Sequence, residues 1–579
     1  MNRVVLVALC ALALTATAAA ASSPTGPVYD GHGRLVQTPF APPPATPRLT
    51  EARATALFLQ VPKVARWLRR YPHRGRVTAA TFDPKTQSWT VGVWWGKAGE
   101  VAMGKVDDQN ASVTEAWTGP QVAWKMARGV PGAFGGKRIN SLPVWLGFCA
   151  VFLIGLLDWR RLLSLRTLDL LVLLSFSVSL WYFNRGDIFT SVPLVYPPLV
   201  YLIGRALWIG VRGRATTTRA TLPVWLLLGA AVFLAGFRIG LNAEASNVID
   251  VGYAGVIGAA RIVHGQSPYG HMPIEDSLKA CGPADADGEI RDRIQTNGRC
   301  ESANDRGDTY GPVSYLAYVP GYLIRGWSGK WDDLPAAHIT SGLFDLLCLA
   351  GMFMVGLRYG GRELGAVLAL AWAAYPFTQY ASNSNTNDLI PPAFLIWGLW
   401  AAGRPWARGA LVALSAWTKF SSLVVAPLWL TYPERKARPA LAYVGGFAIA
   451  TAAAFSILLL EPDPLHAARV FWDRTLGWQI GRESPFSIWD WRQYHAGLPD
   501  LHLLQLALEG VLIAAALAFA FVPRRKSPLQ LAALTAVLIG GFELVLTHWF
   551  YLYLPWVFPF LAFAFLAPPS AEHEPVQPG

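Results

Sequence analysis

The sequence predicts a polytopic α-helical membrane protein, with about eleven to thirteen transmembrane helices, that carries a small α+β domain near its amino terminus. Hydrophobic residues make up 53% of the 579-residue chain and charged residues only 15%, whereas a soluble chain carries about 25% charged residues. Apolar runs long enough to cross a bilayer recur between residues 142 and 567. Lys and Arg concentrate in short loops between those runs, as the positive-inside rule requires.

The amino terminus predicts an extracytoplasmic start to the chain. Residues 1–21 have the pattern of a signal peptide, with Arg3, an apolar stretch and the small residues TATAAAA. Cleavage is favoured over an uncleaved anchor because the apolar stretch is short. Residues 22–48 form a linker that contains too much proline to pack.

Residues 49–138 predict the α+β domain. Apolar residues at helical spacing follow Thr50, a suitable N-cap, up to Arg70. Four segments with period-two alternation follow, which indicates an antiparallel meander: RVTAATF, SWTVGVWW, EVAMGKV and SVTEAWTG. This pattern resembles the PepSY-type small domain. No nucleophile–base pair is visible in it, so a binding or regulatory module is expected.

The remaining chain divides into spans. Three helices are predicted within residues 139–220 and the larger membrane domain covers 221–567. Its predicted spans are 221–241, 336–357, 363–381, 387–402, 439–461, 501–522, 528–546 and 549–567. Residues 309–324 are apolar but broken by Gly and Pro, which is typical of a re-entrant or interfacial segment. Residues 408–432 are interpreted as a hairpin that turns near Lys419.

Orientation follows from the basic clusters. If every cluster is cytoplasmic, the loops 242–335 and 462–500 lie outside, and residues 568–579 form a disordered cytoplasmic tail. The expected location is the plasma membrane. Cys281 and Cys300 share one outer loop and are expected to form a disulfide in an oxidising compartment.

Cofactors and nucleic acid are not expected. The formal net charge is +12, but no basic patch is interleaved with aromatic residues in a predicted soluble region. The five cysteines form no CxxC motif and no Cys/His cluster, so no metal site is predicted. There is no Rossmann glycine motif either.

Polar residues cluster at the predicted outer ends of the spans. Any one of them can be an ordinary interfacial residue, but four clusters on one face favour a site. Asp345 and Glu543 lie deeper, inside apolar runs, and are candidates for orienting residues in a cavity. Arg205, near the cytoplasmic end of its span, is expected to reach the membrane surface with its charge.

Five segments between residues 221 and 567 resemble, in order, the GT-C superfamily of membrane glycosyltransferases, and most closely the actinobacterial type called family 87. They are DVGYAGVIGAARIVHGQSPYG, DTYGPVSYLAYVP, NSNTND, ALSAWTKFSSLVVAPLWL and RESPFSIW. The resemblance implies an inverting transfer of mannose or arabinofuranose from a polyprenyl monophosphate. It implies a catalytic carboxylate in the first outer loop, at Asp250, with Glu244 as the second choice.

Physical chemistry assigns further roles around that carboxylate. Cations stabilise the departing lipid phosphate, and the candidates are Arg261, His264, Lys419, Arg474 and Arg482. Other polar and aromatic residues are predicted to line the substrate cavity: Tyr310, Asn387, Asp388, Trp489, His548 and Asp345. The expected partners are the bilayer, the lipid-linked sugar and a glycan or glycolipid acceptor of the cell envelope.

Two other classes of protein stay open at this stage. A multi-pass transporter or flippase of lipid-linked intermediates would show an internal repeat with broken helices in matching positions, and no second copy of any cluster is visible. A non-enzymatic receptor or envelope assembly protein would depend mainly on the soluble domain. Retention of polyprenyl phosphate by the purified protein separates the enzyme from both alternatives, since neither needs that lipid.

Overall fold

The computed structural model forms two compact units, residues 1–122 and 123–579. The residues it describes are 28–29, 35–37, 46–84, 86–129, 141–213, 222–246, 248–273, 293–296, 299–302, 304–327, 334–495 and 497–572. The predicted signal peptide, most of the proline-rich linker and the end of the predicted tail lie outside the described residues. The predicted Cys281–Cys300 disulfide also lies outside them, because Cys281 is not described.

The first unit is an antiparallel meander covered by two helices. Its elements are β1 (Val28–Tyr29), β2 (Leu35–Gln37), α1 (Glu51–Gln60), α2 (Pro62–Leu68), β3 (Arg76–Asp83), β4 (Ser88–Trp95), β5 (Glu100–Asp107) and β6 (Ser112–Thr118). The four long strands pair in the order β3-β4-β5-β6. The ring of Phe58 from α1 packs so closely on β5 that a Cβ at Gly104 would lie 2.4 Å from it.

The predicted helix between residues 50 and 70 is correct at its start and wrong in its continuity. The side chain of Thr50 accepts a hydrogen bond from the backbone N–H of Arg53 at 3.3 Å, as an N-cap does. The helix ends at Gln60 and a second begins at Pro62. Proline has no backbone N–H and is tolerated only in the first turn of a helix, so it separates the two.

The second unit is almost entirely helical. Its described α-helices of five or more residues are α3 (Leu142–Leu156), α4 (Leu165–Phe183), α5 (Tyr196–Arg212), α6 (Val224–Ala245), α7 (Asp250–Val263), α8 (Pro312–Leu316), α9 (Val319–Arg325), α10 (Pro335–Ala374), α11 (Pro376–Asn383), α12 (Ile390–Trp400), α13 (Pro405–Ala416), α14 (Ala426–Leu430), α15 (Ala437–Phe455), α16 (Pro464–Trp472), α17 (His502–Phe521), α18 (Pro528–Val545) and α19 (Leu554–Leu566). Two short strands, β7 (Arg293–Thr296) and β8 (Arg299–Ser302), form a hairpin.

Among the described residues, seven helical segments are long and apolar enough to cross a membrane, so the chain is a polytopic helical membrane protein. They are Leu165–Phe183, Ile188–Arg212, Val224–Ala245, Pro335–Ala374, Ala437–Leu460, His502–Phe521 and Pro528–Val545. Three shorter apolar helices accompany them: Leu142–Leu156, Phe420–Leu430 and Tyr551–Leu566.

Helix α10 contains two of the predicted spans. Gly361 has a φ of 75° inside it, and a Cβ at Gly356 would lie 2.5 Å from the Cα of Gly365. In a straight helix two residues nine positions apart are separated by about 13 Å. The chain therefore reverses at Gly361, and the two halves pack against each other, as the separate spans 336–357 and 363–381 predict.

Two predicted membrane segments are broken. Residues 309–324 form the short helices α8 and α9, in agreement with a re-entrant or interfacial segment. The predicted span 387–402 is wrong as a continuous crossing, because the helix α12 begins at Ile390 and its 11 residues reach only about 16 Å. Its first three predicted residues instead form a separate helical turn, Asn387–Leu389.

Residues 408–432 form the predicted hairpin. Helix α13 ends at Ala416, and Lys419 precedes the helical turn Phe420–Val425 that leads into α14. The guanidinium of Arg408, near the start of α13, donates to the backbone oxygen of Tyr432 at 2.8 Å. Because the two ends of the segment meet, Lys419 lies at the tip of the hairpin.

The basic clusters meet at one end of the helical unit. Glu434 pairs with Arg525 at 3.2 Å, and the backbone N–H of Lys526 donates to the oxygen of Pro433 at 2.8 Å. The side chain of Gln530 donates to the oxygen of Gly210 at 2.9 Å. The clusters around residues 212, 435 and 525 therefore share one end, as the predicted topology requires.

The charge of Arg205 does not extend freely towards the membrane surface, contrary to the sequence-based expectation. Its guanidinium pairs with Asp169 at 3.0 Å, and Tyr201 donates to the same carboxylate at 2.7 Å. A charge in an apolar bundle is costly unless it is paired, and this pair joins α4 to α5.

Candidate active site

Helix α7 carries Asp250 at its first position. A carboxylate is favoured at the start of a helix because the first N–H groups are unpaired and carry partial positive charge. Glycines on one side of α7 allow very close packing: a Cβ at Gly252 would lie 2.2 Å from the oxygen of Asn385, and one at Gly258 would lie 2.2 Å from the ring of Tyr315. The start of α7 is therefore fixed directly on the turn that contains Asn385.

A buried polar network fixes the connection between α6 and α7. The amide of Asn242 donates to the oxygens of Ser382 and Asn385 at 2.9 Å and 2.8 Å, and the amide of Asn385 donates to Ser246 at 2.8 Å. His338 lies 2.7 Å from the amide oxygen of Asn242. Asn385 has a φ of 55°, a conformation that asparagine tolerates better than most residues.

Asp250 is an accessible carboxylate at the start of α7. Its residue surface is exposed, and it makes no ion pair with another described residue. Loss of surrounding water raises the pKa of Asp250, while the positive charges of Arg482 and Lys419 act in the opposite direction. A carboxylate that is reachable, unpaired and made more basic by its surroundings has the properties of a general base.

Lys419 is held at the hairpin tip by a carboxylate and three aromatic rings. Its Nζ lies 2.5 Å from Asp388 Oδ1, and Thr386 donates to the other oxygen of Asp388 at 2.6 Å. The same Nζ lies 5.0 to 5.5 Å from three ring centroids, which belong to Tyr310, Tyr553 and Trp556. We call these three rings the aromatic cage; each contributes a cation–π attraction.

The hairpin tip is joined directly to the segment before α8. The backbone N–H groups of Gly311 and Val313 donate to the oxygens of Thr418 and Trp417 at 3.2 Å and 3.0 Å. A Cβ at Gly311 would lie 2.0 Å from the oxygen of Trp417, so only glycine allows this approach. Tyr310 and Lys419 are brought together by that contact.

Arg482 is a second cation near Asp250, and unlike Lys419 it has no carboxylate partner among the described residues. Its guanidinium carbon lies 4.9 Å from the ring of Trp478, and its buried Nε has no hydrogen-bond partner. Within the described part of the chain it forms no ion pair, although its charge acts on Asp250, Tyr310 and His548. An arginine without an anion, beside an accessible carboxylate, suits an anionic ligand such as a phosphate.

His548 completes the group. Its Nδ1 lies 2.9 Å from Ser484 Oγ, two residues after Arg482. Burial, reinforced by the charges of Arg482 and Lys419, holds the pKa of His548 well below its usual range. The imidazole is therefore neutral and offers one N–H donor without adding a charge.

The structure brings together six of the residues predicted from the sequence. Electrostatic interaction or direct contact links Asp250, Tyr310, Asp388, Lys419, Arg482 and His548. They come from six separate segments of the chain. We call them the Asp250 cluster.

Three predicted phosphate ligands contact residues outside the Asp250 cluster. Arg474 pairs with Asp308 at 2.7 Å, and Asp308 also accepts from the backbone of Gly270 at 2.8 Å, so this arginine fastens loops together. Arg261 donates to the oxygen of His271 at 3.1 Å. Both Arg261 and His264 lie at the far end of α7, about 16 Å or more along the helix from Asp250.

Three residues predicted to line the cavity lie in the packed interior instead. Asp345 pairs with Arg238 at 2.7 Å and accepts from the indole of Trp372 at 2.9 Å. The indole of Trp489 donates to the oxygen of Leu544 at 3.0 Å. Asn387 is fully buried, with its amide on Ser314 at 2.6 Å and its oxygen unpaired. Buried polar groups require such partners.

The two remaining carboxylates also differ from Asp250. Glu244 is exposed in the last turn of α6. Glu543 is buried in α18, where Trp549 donates to one oxygen at 3.4 Å and the other oxygen has no hydrogen-bond partner. Neither carboxylate is among the charges with the largest effects on Asp250.

Several residues of the site have no distinctive sequence signal. Tyr553 and Trp556 belong to an aromatic run that is typical of a membrane interface, so their place in the aromatic cage is not visible from the sequence. Asp308 begins the DTYGP segment and its acidic side chain was the available signal. Within the described ranges, no group of three or more His, Cys, Asp or Glu side chains is placed to hold a metal ion.

The fold is that of a polytopic membrane protein. Its candidate site combines the carboxylate of Asp250, the cations Lys419 and Arg482, and the aromatic cage. The model of glycosyltransferase family 87 matches residues 309–547, which is less than half of the chain. The match supports a GT-C-like membrane glycosyltransferase. It includes Lys419 and Arg482, whereas Asp250 and His548 lie outside it. No curated protein and no solved structure matches the chain.

Proposed function

We propose that the protein transfers a sugar of the mannose or arabinofuranose class from a polyprenyl monophosphate to a cell-envelope glycan or glycolipid. The reaction takes place at the extracytoplasmic face of the plasma membrane, with Asp250 as general base. The observation that carries the proposal is the juxtaposition of an accessible, unpaired carboxylate with the unpaired Arg482 and the caged Lys419.

Asp250 activates the acceptor. A hydroxyl is a poor nucleophile, and a carboxylate within about 3 Å takes its proton as the new bond forms. The acceptor oxygen bonds to the anomeric carbon of the sugar while the bond from that carbon to the phosphate oxygen breaks. The products are the glycoside and the lipid phosphate, and the proton on Asp250 passes to solvent. Attack from the side opposite the phosphate inverts the anomeric carbon.

The two cations stabilise the leaving group. Negative charge grows on the phosphate as the bond breaks, and fixed positive charges nearby lower the barrier. Arg482 has no anion of its own and presents a planar fork suited to phosphate. Lys419 is partly neutralised by Asp388, so it contributes less charge and serves more to order the aromatic cage. The rings of Tyr310, Tyr553 and Trp556 offer apolar surface for the sugar or the first isoprene units.

The position of the Asp250 cluster supports the extracytoplasmic assignment. The start of the hairpin, at Arg408, belongs to the end that carries the basic clusters, because Arg408 contacts Tyr432 and residue 433 contacts Lys526. Lys419 lies beyond the end of the 12-residue helix α13, about 18 Å from that start. If the basic end is cytoplasmic, the Asp250 cluster lies towards the opposite face.

The test is transfer by Asp250→Asn in membranes supplied with a labelled lipid-linked sugar. We expect loss of transfer by at least about 100-fold, the usual contribution of a general base, with membrane expression intact. Glu244→Gln is the matched control, because it makes the same chemical change at an exposed carboxylate in the last turn of α6 and should retain transfer.

Two results would contradict the proposal. Transfer by Asp250→Asn at the wild-type rate would show that Asp250 is not the general base. Movement of the lipid-linked sugar across the membrane without formation of a glycosidic bond, by the wild-type protein, would favour a flippase instead.

A further inference from the structure

The turn that carries His548 is held by residues from the amino-terminal part of the helical unit. We call residues 546–553, between α18 and α19, the His548 turn. Trp124 lies against it, with its indole centroid 5.8 Å from the imidazole of His548. Trp124 belongs to the helical unit and lies far upstream of the region that the family model matches.

Trp124 also contacts residues 482–494, which we call the Arg482 segment. Its ring meets Phe486 edge-on at 5.4 Å, and its indole N–H donates to the hydroxyl of Tyr494 at 3.3 Å. Phe486 in turn lies 5.6 Å from His548. The indole of Trp124 therefore contacts both the His548 turn and the Arg482 segment.

A second contact fixes the other end of the same turn. The hydroxyl of Tyr551 lies 2.6 Å from Ser179 Oγ and 2.7 Å from Ser191 Oγ, all in the buried interior. Ser179 belongs to α4 and Ser191 lies just before α5. Hydrogen bonds of the Tyr551 hydroxyl therefore hold one end of the His548 turn, and Trp124 packs against the imidazole of His548.

We propose that Trp124 is a positioning residue for the phosphate of the lipid-linked donor, acting through His548 on the segment of Arg482. The inference rests on the proposed function and names a residue outside the family match. The path is short: Trp124 packs on His548, His548 Nδ1 contacts Ser484 Oγ at 2.9 Å, and Ser484 lies two residues from Arg482. Loss of the indole opens space beside the imidazole, so water enters and the Ser484 contact loosens.

The experiment measures binding of polyprenyl monophosphate to the purified full-length protein, together with KM and kcat for the labelled donor. We expect Trp124→Ala to weaken lipid-phosphate binding and raise KM by roughly two- to tenfold, the range for losing one aromatic pair, with a smaller change in kcat. Trp124→Phe retains the ring contact and should restore most of the binding. Trp208→Ala, at an exposed tryptophan of α5, is the control and should bind as the wild type does.

A double-mutant cycle shows whether Trp124 acts through Arg482. If it does, Trp124→Ala has little further effect on binding in an Arg482→Gln background, because the cation it positions is already absent. Additive effects would overturn the inference. So would wild-type binding by Trp124→Ala, or a loss of kcat and thermal stability with binding unchanged.

The binding measurement separates this inference from the proposed function. Wild-type protein that binds polyprenyl phosphate but forms no glycoside would refute the transferase and leave the role of Trp124 in phosphate binding testable by the same variants. Wild-type protein that binds no polyprenyl phosphate would refute both proposals.

Discussion

Arg482 and Lys419 lie near the same carboxylate but differ in what neutralises them. Lys419 has Asp388 at 2.5 Å, whereas Arg482, among the residues that the structure describes, contacts the face of Trp478 and has a buried Nε without a partner. Arg482 is half-buried, and a guanidinium without an anion of its own is free to pair with an anionic ligand. For this reason we assign Arg482 the larger share of phosphate recognition.

The pH dependence of transfer tests the link between Arg482 and Asp250. The proposed base must be ionised, so transfer should rise with pH through the pKa of Asp250, which the loss of surrounding water raises above the usual carboxyl value near 3.9. Arg482 favours the ionised form and lowers that pKa. Arg482→Gln should therefore shift the acid limb of kcat/KM to higher pH. The limb is measured with labelled donor in wild-type and variant membranes, and a shift to lower pH would contradict the assignment.

The stability of two matched variants tests the Lys419–Asp388 pair. Lys419→Met leaves the buried carboxylate of Asp388 without its cation and should cost about 3 kcal/mol, visible as a lower Tm in detergent. The double variant Lys419→Met/Asp388→Asn should recover part of that loss, because no uncompensated charge remains. Arg482→Gln breaks no ion pair and should leave the Tm within about 1 °C. Equal losses for Lys419→Met and Arg482→Gln would show that the two cations are not distinguished by pairing.

Sequence reasoning finds charged members of the site and misses aromatic ones for one physical reason. A charge in an apolar run is costly and therefore stands out, as Lys419 does, while Asp388 and Arg482 stand out in polar clusters at the predicted outer ends of spans. Tyrosine and tryptophan are common at every membrane interface, so the aromatic cage has no distinguishing pattern. The same argument explains the errors: Asp345 stands out equally, but its partner Arg238 is far away in sequence and only the fold reveals the pair.

At the scale of elements, close contact between backbones positions Asp250. Helix α7 reaches the Asn385 turn only because Gly252 has no side chain, and the hairpin tip reaches residue 311 only because Gly311 has none. Glycine is unfavourable within a helix by roughly 0.5–1 kcal/mol, so the close approach compensates for an intrinsic cost. This packing brings the carboxylate of α7 within electrostatic range of the hairpin tip.

Alanine substitutions in α6 and α7 test this packing. At Gly252 an added Cβ would lie 2.2 Å from the oxygen of Asn385, so Gly252→Ala should cost about 1–3 kcal/mol and reduce transfer by displacing Asp250. Gly240→Ala in α6 is the control, because a Cβ there meets nothing within 4 Å. It should leave the Tm unchanged or slightly raised. A neutral Gly252→Ala would show that α7 is not held by this contact.

Element boundaries are predictable only where an apolar run is continuous. The predicted spans 439–461, 501–522 and 528–546 agree with helical segments to within a few residues. Apolar runs that contain proline, such as residues 387–402, form helices that are shorter than the run itself. Polar groups in their first turns find tertiary partners, as the side-chain amide nitrogen of Asn387 does at Ser314, and such partners are not visible in one stretch of sequence.

At the scale of the whole molecule, the basic clusters and the Asp250 cluster lie at different depths. Arg525 and Glu434 form an ion pair at the end shared by the basic clusters, while Lys419 lies at the far end of the hairpin that starts there. The positive-inside rule predicts which of these ends faces the cytoplasm. The proposed reaction has the same requirement, since a glycan of the cell envelope is accessible only from outside.

Single cysteines at two exposed arginines test the orientation. The side chains of Arg525 and Arg492 are 86% and 67% exposed, so Arg525→Cys and Arg492→Cys in a cysteine-free background should both react with a maleimide after the membrane is permeabilised. In intact cells a membrane-impermeant maleimide should label only Arg492→Cys. Residue 525 lies at the end of the helical unit that carries the basic clusters, whereas residue 492 lies in the Arg482 segment. A cysteine kept at position 348, which is fully buried, should react in neither condition. Labelling of Arg525→Cys from outside would invert the topology, and Asp250 would then face a compartment that contains no cell-envelope acceptor.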